Sequence, residues 1–63
     1  MDDQRAVLSS AVTNLDDLVT RVTGLAEAMH AAGDESVAAD LFEVERSLRM
    51  AQRRLTVVAR RLR

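Results

Sequence analysis

The sequence contains no cysteine and no proline, only two glycines, and a single aromatic residue, Phe42. Without cysteine, neither disulfide bonds nor thiolate metal ligands can stabilise the chain. Without proline, and with alanine, valine and leucine as its main apolar residues, the composition favours long helices over sheets. A length of 63 residues allows one small domain at most. We therefore predict a single all-α domain spanning residues 1–63.

Long apolar runs and lysine are also missing. No apolar run approaches the roughly 18 residues of a membrane span, and the acidic start of the sequence, MDDQRAV, is unlike a secretory signal. These features predict a cytoplasmic protein that does not bind membranes. All nine basic side chains other than histidine are arginine, which is typical of GC-rich bacterial genomes.

Residue sets that carry catalysis or bind metal are absent as well. His30 is the only histidine, so a zinc site would have to be completed by carboxylates alone. The serines have no histidine and aspartate arranged around them, and the sequence contains no glycine-rich phosphate loop. We therefore predict that the protein is not an enzyme and that it binds neither a cofactor nor a metal ion.

Apolar periodicity is the strongest positive signal. In the second half of the chain, apolar residues alternate at spacings of four and three, with leucine at every second position. This is a heptad pattern, typical of coiled coils. The apolar seam predicted for the second helix consists of Val37, Leu41, Val44, Leu48, Ala51, Leu55, Val58 and Leu62.

The first half shows the same periodicity over a wider arc. Its predicted seam consists of Leu8, Val12, Leu15, Val19, Val22, Ala26 and Met29. A second apolar row runs beside this seam at seven-residue intervals, at Ala11, Leu18, Leu25 and Ala32. An apolar arc of this width is expected in a helix bundle rather than in a two-stranded coiled coil.

A short polar segment, GDES, separates the two periodic halves. Gly33 suits the left-handed position just past a helix end, and Asp34 or Ser36 can cap the helix that follows. We predict a first helix over about 3–32, a turn over about 33–35 and a second helix over about 36–62. Because so short a connection makes the helices antiparallel, the chain should form a helical hairpin.

A lone hairpin would leave the second row of the first helix in water. Since a continuous apolar strip marks an interface, we expect two hairpins to associate as a homodimeric four-helix bundle, with a permanent complex with another protein as the alternative. The expected core and dimer interface comprises Leu8, Val12, Leu15, Leu18, Val19, Val22, Leu25, Met29, Leu41, Val44, Leu48, Leu55, Val58 and Leu62.

Charge is unevenly distributed, although the net charge is only −1. Residues 1–45 contain all ten acids, whereas residues 46–63 contain seven arginines. These arginines serve as a solvated face that offsets the helix dipole, or as a docking face for an acidic protein, or as a site for nucleic acid or a nucleotide. The candidate binding face comprises Arg46, Arg49, Arg53, Arg54, Arg60 and Arg61.

The sequence therefore predicts a non-catalytic helical interaction module, a small homodimeric regulatory or adaptor protein that binds a protein partner, with transcriptional regulation as one setting. The alternative function is binding of an anion, either nucleic acid or a nucleotide, through the arginine-rich face. The pI of 5.7 and the presence of only one aromatic residue for base stacking argue against nucleic acid.

Overall fold

The computed structural model describes residues 2–62, which form two helices joined by one turn. Helix α1 comprises Asp2–Ala31 and helix α2 comprises Glu35–Arg61. The helices pack against each other as a hairpin that measures 48 × 14 × 10 Å, which confirms the predicted all-α hairpin. Neither helix, as far as it is described, is apolar over a length that could cross a membrane.

Backbone hydrogen bonds at the end of α1 determine the turn. Gly33 adopts a φ of +86°, as predicted for the residue just past the helix end. The Gly33 N–H donates to the His30 carbonyl at 3.0 Å, and the Asp34 N–H donates to the Met29 carbonyl at 2.9 Å, which is the Schellman pattern of helix termination. The Asp34 side chain then caps α2 by accepting a hydrogen bond from the Val37 N–H at 3.2 Å.

The buried side of α1 lies against α2. Its least exposed residues are Val19, at 3%, and Ala26, at 0%. The rest of the predicted α1 seam is half-buried between the helices: Leu8, Val12, Leu15, Val22 and Met29. On α2, the predicted leucine row is half-buried in the same way, at Leu41, Leu48, Leu55 and Leu62.

The other half of the predicted α2 seam does not lie between the two helices of the hairpin. Val37, Val44 and Val58 are 41%, 46% and 41% exposed, and Ala51 is exposed as well. The positions that face α1 between the leucines lie one residue later in the sequence. They are Ala38, Glu45, Gln52 and Ala59, which are buried or half-buried. The helices therefore contact each other through small and polar residues where the pattern of apolar residues had predicted valine.

Gly24 lies on the exposed surface of α1, where an added Cβ would meet no atom within 4 Å. Its substitution therefore tests which side of α1 faces the solvent. Gly24→Ala should stabilise the fold by about 0.5–1 kcal/mol, since alanine has the higher helix propensity. Thermal melts at equal protein concentration measure the change.

Gly33→Ala is the matched control. Gly33 also has no neighbour within 4 Å of an added Cβ, but its φ of +86° strains any residue that carries one. This variant should melt at a lower temperature than the wild type. A higher melting temperature for Gly33→Ala would contradict the placement of the turn, and a lower one for Gly24→Ala would contradict the exposure of Gly24 on α1.

Candidate interaction surfaces

Polar side chains join the two helices along one side of the seam, called here the polar face. The Gln52 amide donates a hydrogen bond to the Asp16 carboxylate at 3.0 Å, and the Thr23 hydroxyl donates to the Glu45 carboxylate. The two pairs lie seven residues apart on both helices, so a single antiparallel register satisfies both. At the turn, His30 Nδ1 lies 2.8 Å from Glu35 Oε1.

The open end of the hairpin, opposite the turn, shows that the two sides of the seam differ chemically. One groove there is lined by Ser9 and Thr56, which carry hydroxyl groups and belong to the polar face. A second groove is lined by Ala11 and Val58. Ala11 of α1 and Val58 of α2 therefore lie together on the opposite side of the seam.

That opposite side is called here the apolar face. Leu18 and Leu25 are 41% and 51% exposed, as expected for the second row of α1 in a single hairpin. The exposed valine row of α2 keeps the same seven-residue spacing and lies on the same side. The apolar face consists of Ala11, Leu18, Leu25 and Ala32 from α1 and Val37, Val44, Ala51 and Val58 from α2.

The structure thus adds an α2 row to the unpartnered strip predicted on α1. This addition doubles the width of the strip, because sequence analysis had assigned Val37, Val44, Ala51 and Val58 to the seam. The sequence does hold a signal for the α2 row, since Glu45 and Gln52 are polar residues at the same seven-residue spacing. Recognising that signal requires knowing that α1 supplies hydrogen-bond partners for both.

The arginines predicted as a binding face are exposed along α2. Two of them form ion pairs within their own helix: Arg46 with Glu43 at 3.1 Å, and Arg49 with Glu45 at 3.6 Å. These two arginines therefore have part of their charge compensated locally.

The remaining four predicted arginines form no ion pair with any carboxylate of residues 3–62, whose side chains the structure describes; they are Arg53, Arg54, Arg60 and Arg61. Asp16, an acid on the facing helix, accepts a hydrogen bond from Gln52 and forms no ion pair with them. Arg63 lies outside the described residues. The open end therefore carries a group of arginines whose charge the described carboxylates do not pair.

Because these arginines form no ion pair, removing two of them should leave the fold stable. We expect the double variant Arg53→Ala/Arg60→Ala to melt within a few degrees of the wild type, since exposed charges contribute about 0–1 kcal/mol each. Circular dichroism melts at several salt concentrations measure this. A large loss of helicity would show that the two guanidinium groups stabilise the hairpin and are unavailable for binding.

Among the side chains that the structure describes, those of residues 3–62, no group of three or more histidine or acidic side chains is placed to hold a metal ion. No family model, no curated protein and no solved structure matches this chain. The apolar face and the unpaired arginines are therefore the features from which a function can be inferred.

Proposed function

We propose that this protein is a non-catalytic interaction module that acts as a homodimer, with the apolar faces of two hairpins packed together as a four-helix bundle. The observation that carries the proposal is the composition of the apolar face, where all eight positions are alanine, valine or leucine. The polar face of the same hairpin, by contrast, has hydrogen-bonded polar residues. An apolar strip on one side only is the signature of an interface.

The size of the apolar face also supports the homodimer. The hairpin is 48 Å long and 14 Å wide, so two copies packed face to face would bury on the order of 1,300 Å² in total, within the range of specific protein interfaces. Within one hairpin, Val19, Ala26 and Ala38 are the described residues that are fully buried. Since so small a core gives little stability, association would supply much of the missing apolar burial.

We further propose that the dimer has a regulatory or adaptor role and binds an acidic protein through arginines of α2. Arg53 and Arg60 lie seven residues apart, so they share one side of the helix, and neither belongs to the apolar face. Both would stay accessible in the dimer, with no described carboxylate competing for them. Protein carboxylates are the favoured ligand because the sequence has a single aromatic residue, Phe42, for stacking against nucleic-acid bases.

The homodimer is tested by light scattering, which should give twice the monomer mass of 7.0 kDa at tens of micromolar protein. Leu18→Glu should convert the protein to monomers and reduce its helicity, because the substitution places a charge in the middle of the interface. Met50→Glu is the matched control, since Met50 is 54% exposed and lies on α2 outside the apolar face. A fully helical wild-type monomer, or a Leu18→Glu dimer, would contradict the proposal.

Partner binding is tested with two anionic probes, a fluorescent polyglutamate peptide and a short DNA duplex. At about 150 mM salt, where charges are screened within roughly 8 Å, the wild type should bind the peptide and Arg53→Ala/Arg60→Ala should bind it at least about tenfold more weakly, a difference of about 1.4 kcal/mol. The control Arg21→Ala/Arg46→Ala removes two arginines that already have acidic partners, and should change binding much less.

Duplex binding distinguishes the alternative function. If the wild type binds the duplex at micromolar strength in the same salt, with a steep salt dependence that Arg53→Ala/Arg60→Ala abolishes, then the arginines form a nucleic-acid site and the acidic-protein proposal is wrong. If neither probe binds, the arginines serve as a solvated face and the docking proposal is equally wrong.

A further inference from the structure

We infer that the two copies pack with their turns at opposite ends of the bundle, so that α1 lies on α1 and α2 lies on α2 of the second copy. This inference rests on the proposed homodimer and adds the orientation of its second copy. Two-fold symmetry, the common symmetry of homodimers, allows two ways to place the apolar faces together. In the other arrangement both turns lie at the same end, and α1 packs on α2 of the second copy.

Apolar contacts do not distinguish the two arrangements. Each buries both apolar rows of both copies, and in each the neighbouring helices of the bundle run antiparallel. The difference lies in which charged residues are brought together. Charge complementarity sets register and orientation in interfaces of this kind more strongly than it sets affinity.

Each hairpin has a negative half and a positive half. Residues 18–50, which surround the turn, contain six acids and three arginines, a net charge of −3. Residues 3–17 and 51–62, at the open end, contain three acids and five arginines, a net charge of +2. Packing both turns at one end would bring like charges together at both ends of the bundle, whereas turns at opposite ends bring opposite charges together.

The residues that border the apolar face favour the same orientation. Each member of the α2 row is followed three residues later by a border residue on the same side of the helix. Arg54, for example, lines one groove together with Val58. All four border residues of α2 are exposed; they are Asp40, Ser47, Arg54 and Arg61.

The middle of the hairpin gives the register of the second copy. Leu18 and Ala51 are the members of their rows nearest to the middle of α1 and α2. The hydrogen bond between the neighbouring residues Asp16 and Gln52 shows that these two positions lie side by side in the hairpin. With the turns at opposite ends, the two-fold axis therefore passes beside Ala51 of both copies. Asp40 and Arg61 lie at nearly equal distances on either side of Ala51 along the chain.

Asp40 of each copy is thus placed beside Arg61 of the other, which gives two symmetry-related ion pairs at the borders of the interface. Arg54 meets Ser47 on α2 in the same way, and Arg21 meets Asn14 on α1, so no like charges oppose each other. With both turns at one end, Asp40 would lie beside Ala28 and Arg61 beside Val7, and neither ion pair would form.

Spin-label distances test the orientation directly. Because the sequence has no cysteine, Ser36→Cys carries a single label, on an exposed position beside the turn. Ser36 lies fifteen residues from Ala51 on one helix, so labels on turns at opposite ends should be about 45 Å apart at 1.5 Å per residue. Labels on turns at the same end should be less than about 25 Å apart, given helix diameters of about 10–12 Å.

The outcomes separate the orientation from the homodimer itself. A distance near 45 Å that disappears on dilution with unlabelled chain supports the inference. A distance below 25 Å overturns the orientation while the homodimer stands. If light scattering gives a monomer and the labels show no coupling, the homodimer is wrong, and the orientation falls with it.

Charge reversal at the border tests the ion pair. Arg61→Glu should weaken dimerisation by roughly tenfold, because both symmetry-related contacts with Asp40 become repulsive. Arg60→Glu changes the neighbouring arginine, which does not border the apolar face, and should alter the dimer dissociation constant by less than about twofold. Adding Asp40→Arg to Arg61→Glu should restore dimerisation toward the wild-type value. Equal effects of the two single variants, or no rescue, would overturn the proposed contact.

Discussion

The hydrogen bonds of Glu45 and Gln52 with side chains of α1 decide which side of α2 faces the partner helix. Both residues occupy positions between leucines, and both form hydrogen bonds with side chains of α1, Glu45 with Thr23 and Gln52 with Asp16. Among the described residues, no buried polar side-chain atom lacks a partner. Polar residues at core positions commonly specify register at some cost in stability. Here they occupy the seam in place of the valine row of α2, which is exposed beside the seam and forms half of the apolar face.

In this arrangement the apolar residues form two separate surfaces, the seam between the helices and the exposed apolar face. Leucines, the valines of the α1 seam and small residues hold the two helices together, while an equally regular set of alanines, valines and leucines remains on the surface. A hairpin built in this way has little core of its own, so in the proposed homodimer its stability and its association would be linked by mass action. Arg53 and Arg60 add a second, electrostatic surface outside the apolar face. In the proposed homodimer these two arginines would remain accessible to an acidic ligand, whereas Arg61 would contact Asp40 of the second copy.

Much of this fold follows from local signals in the sequence. Gly33 and Asp34 predict the turn and the cap because each acts within a few residues of itself. The seam of α1 and its second apolar row are also evident from the sequence, since both rows repeat at heptad spacing along one side of the helix. The rotation of α2 was not predictable in this way, because the leucine row keeps alternating spacings of three and four whether Val44 or Glu45 completes it. The choice depends on hydrogen bonds to residues 22 and 36 positions away in sequence, and periodicity does not report on such pairs. The exposure of the arginines was predictable, but their lack of ion pairs was not, since Asp16 takes a different partner.

Because the chain is a hairpin, its two ends form at different stages of folding. A contact beside the turn closes a loop of only a few residues, whereas a contact at the open end closes a loop of nearly the whole chain, and the entropic cost rises with loop length. Formation from the turn outward is therefore the least costly route, and the end that bears Arg60 and Arg61 is the last to form. For the same reason it is the first to open, so its amide hydrogens should exchange fastest. A ligand bound to those arginines would therefore stabilise the end of the hairpin that opens most readily.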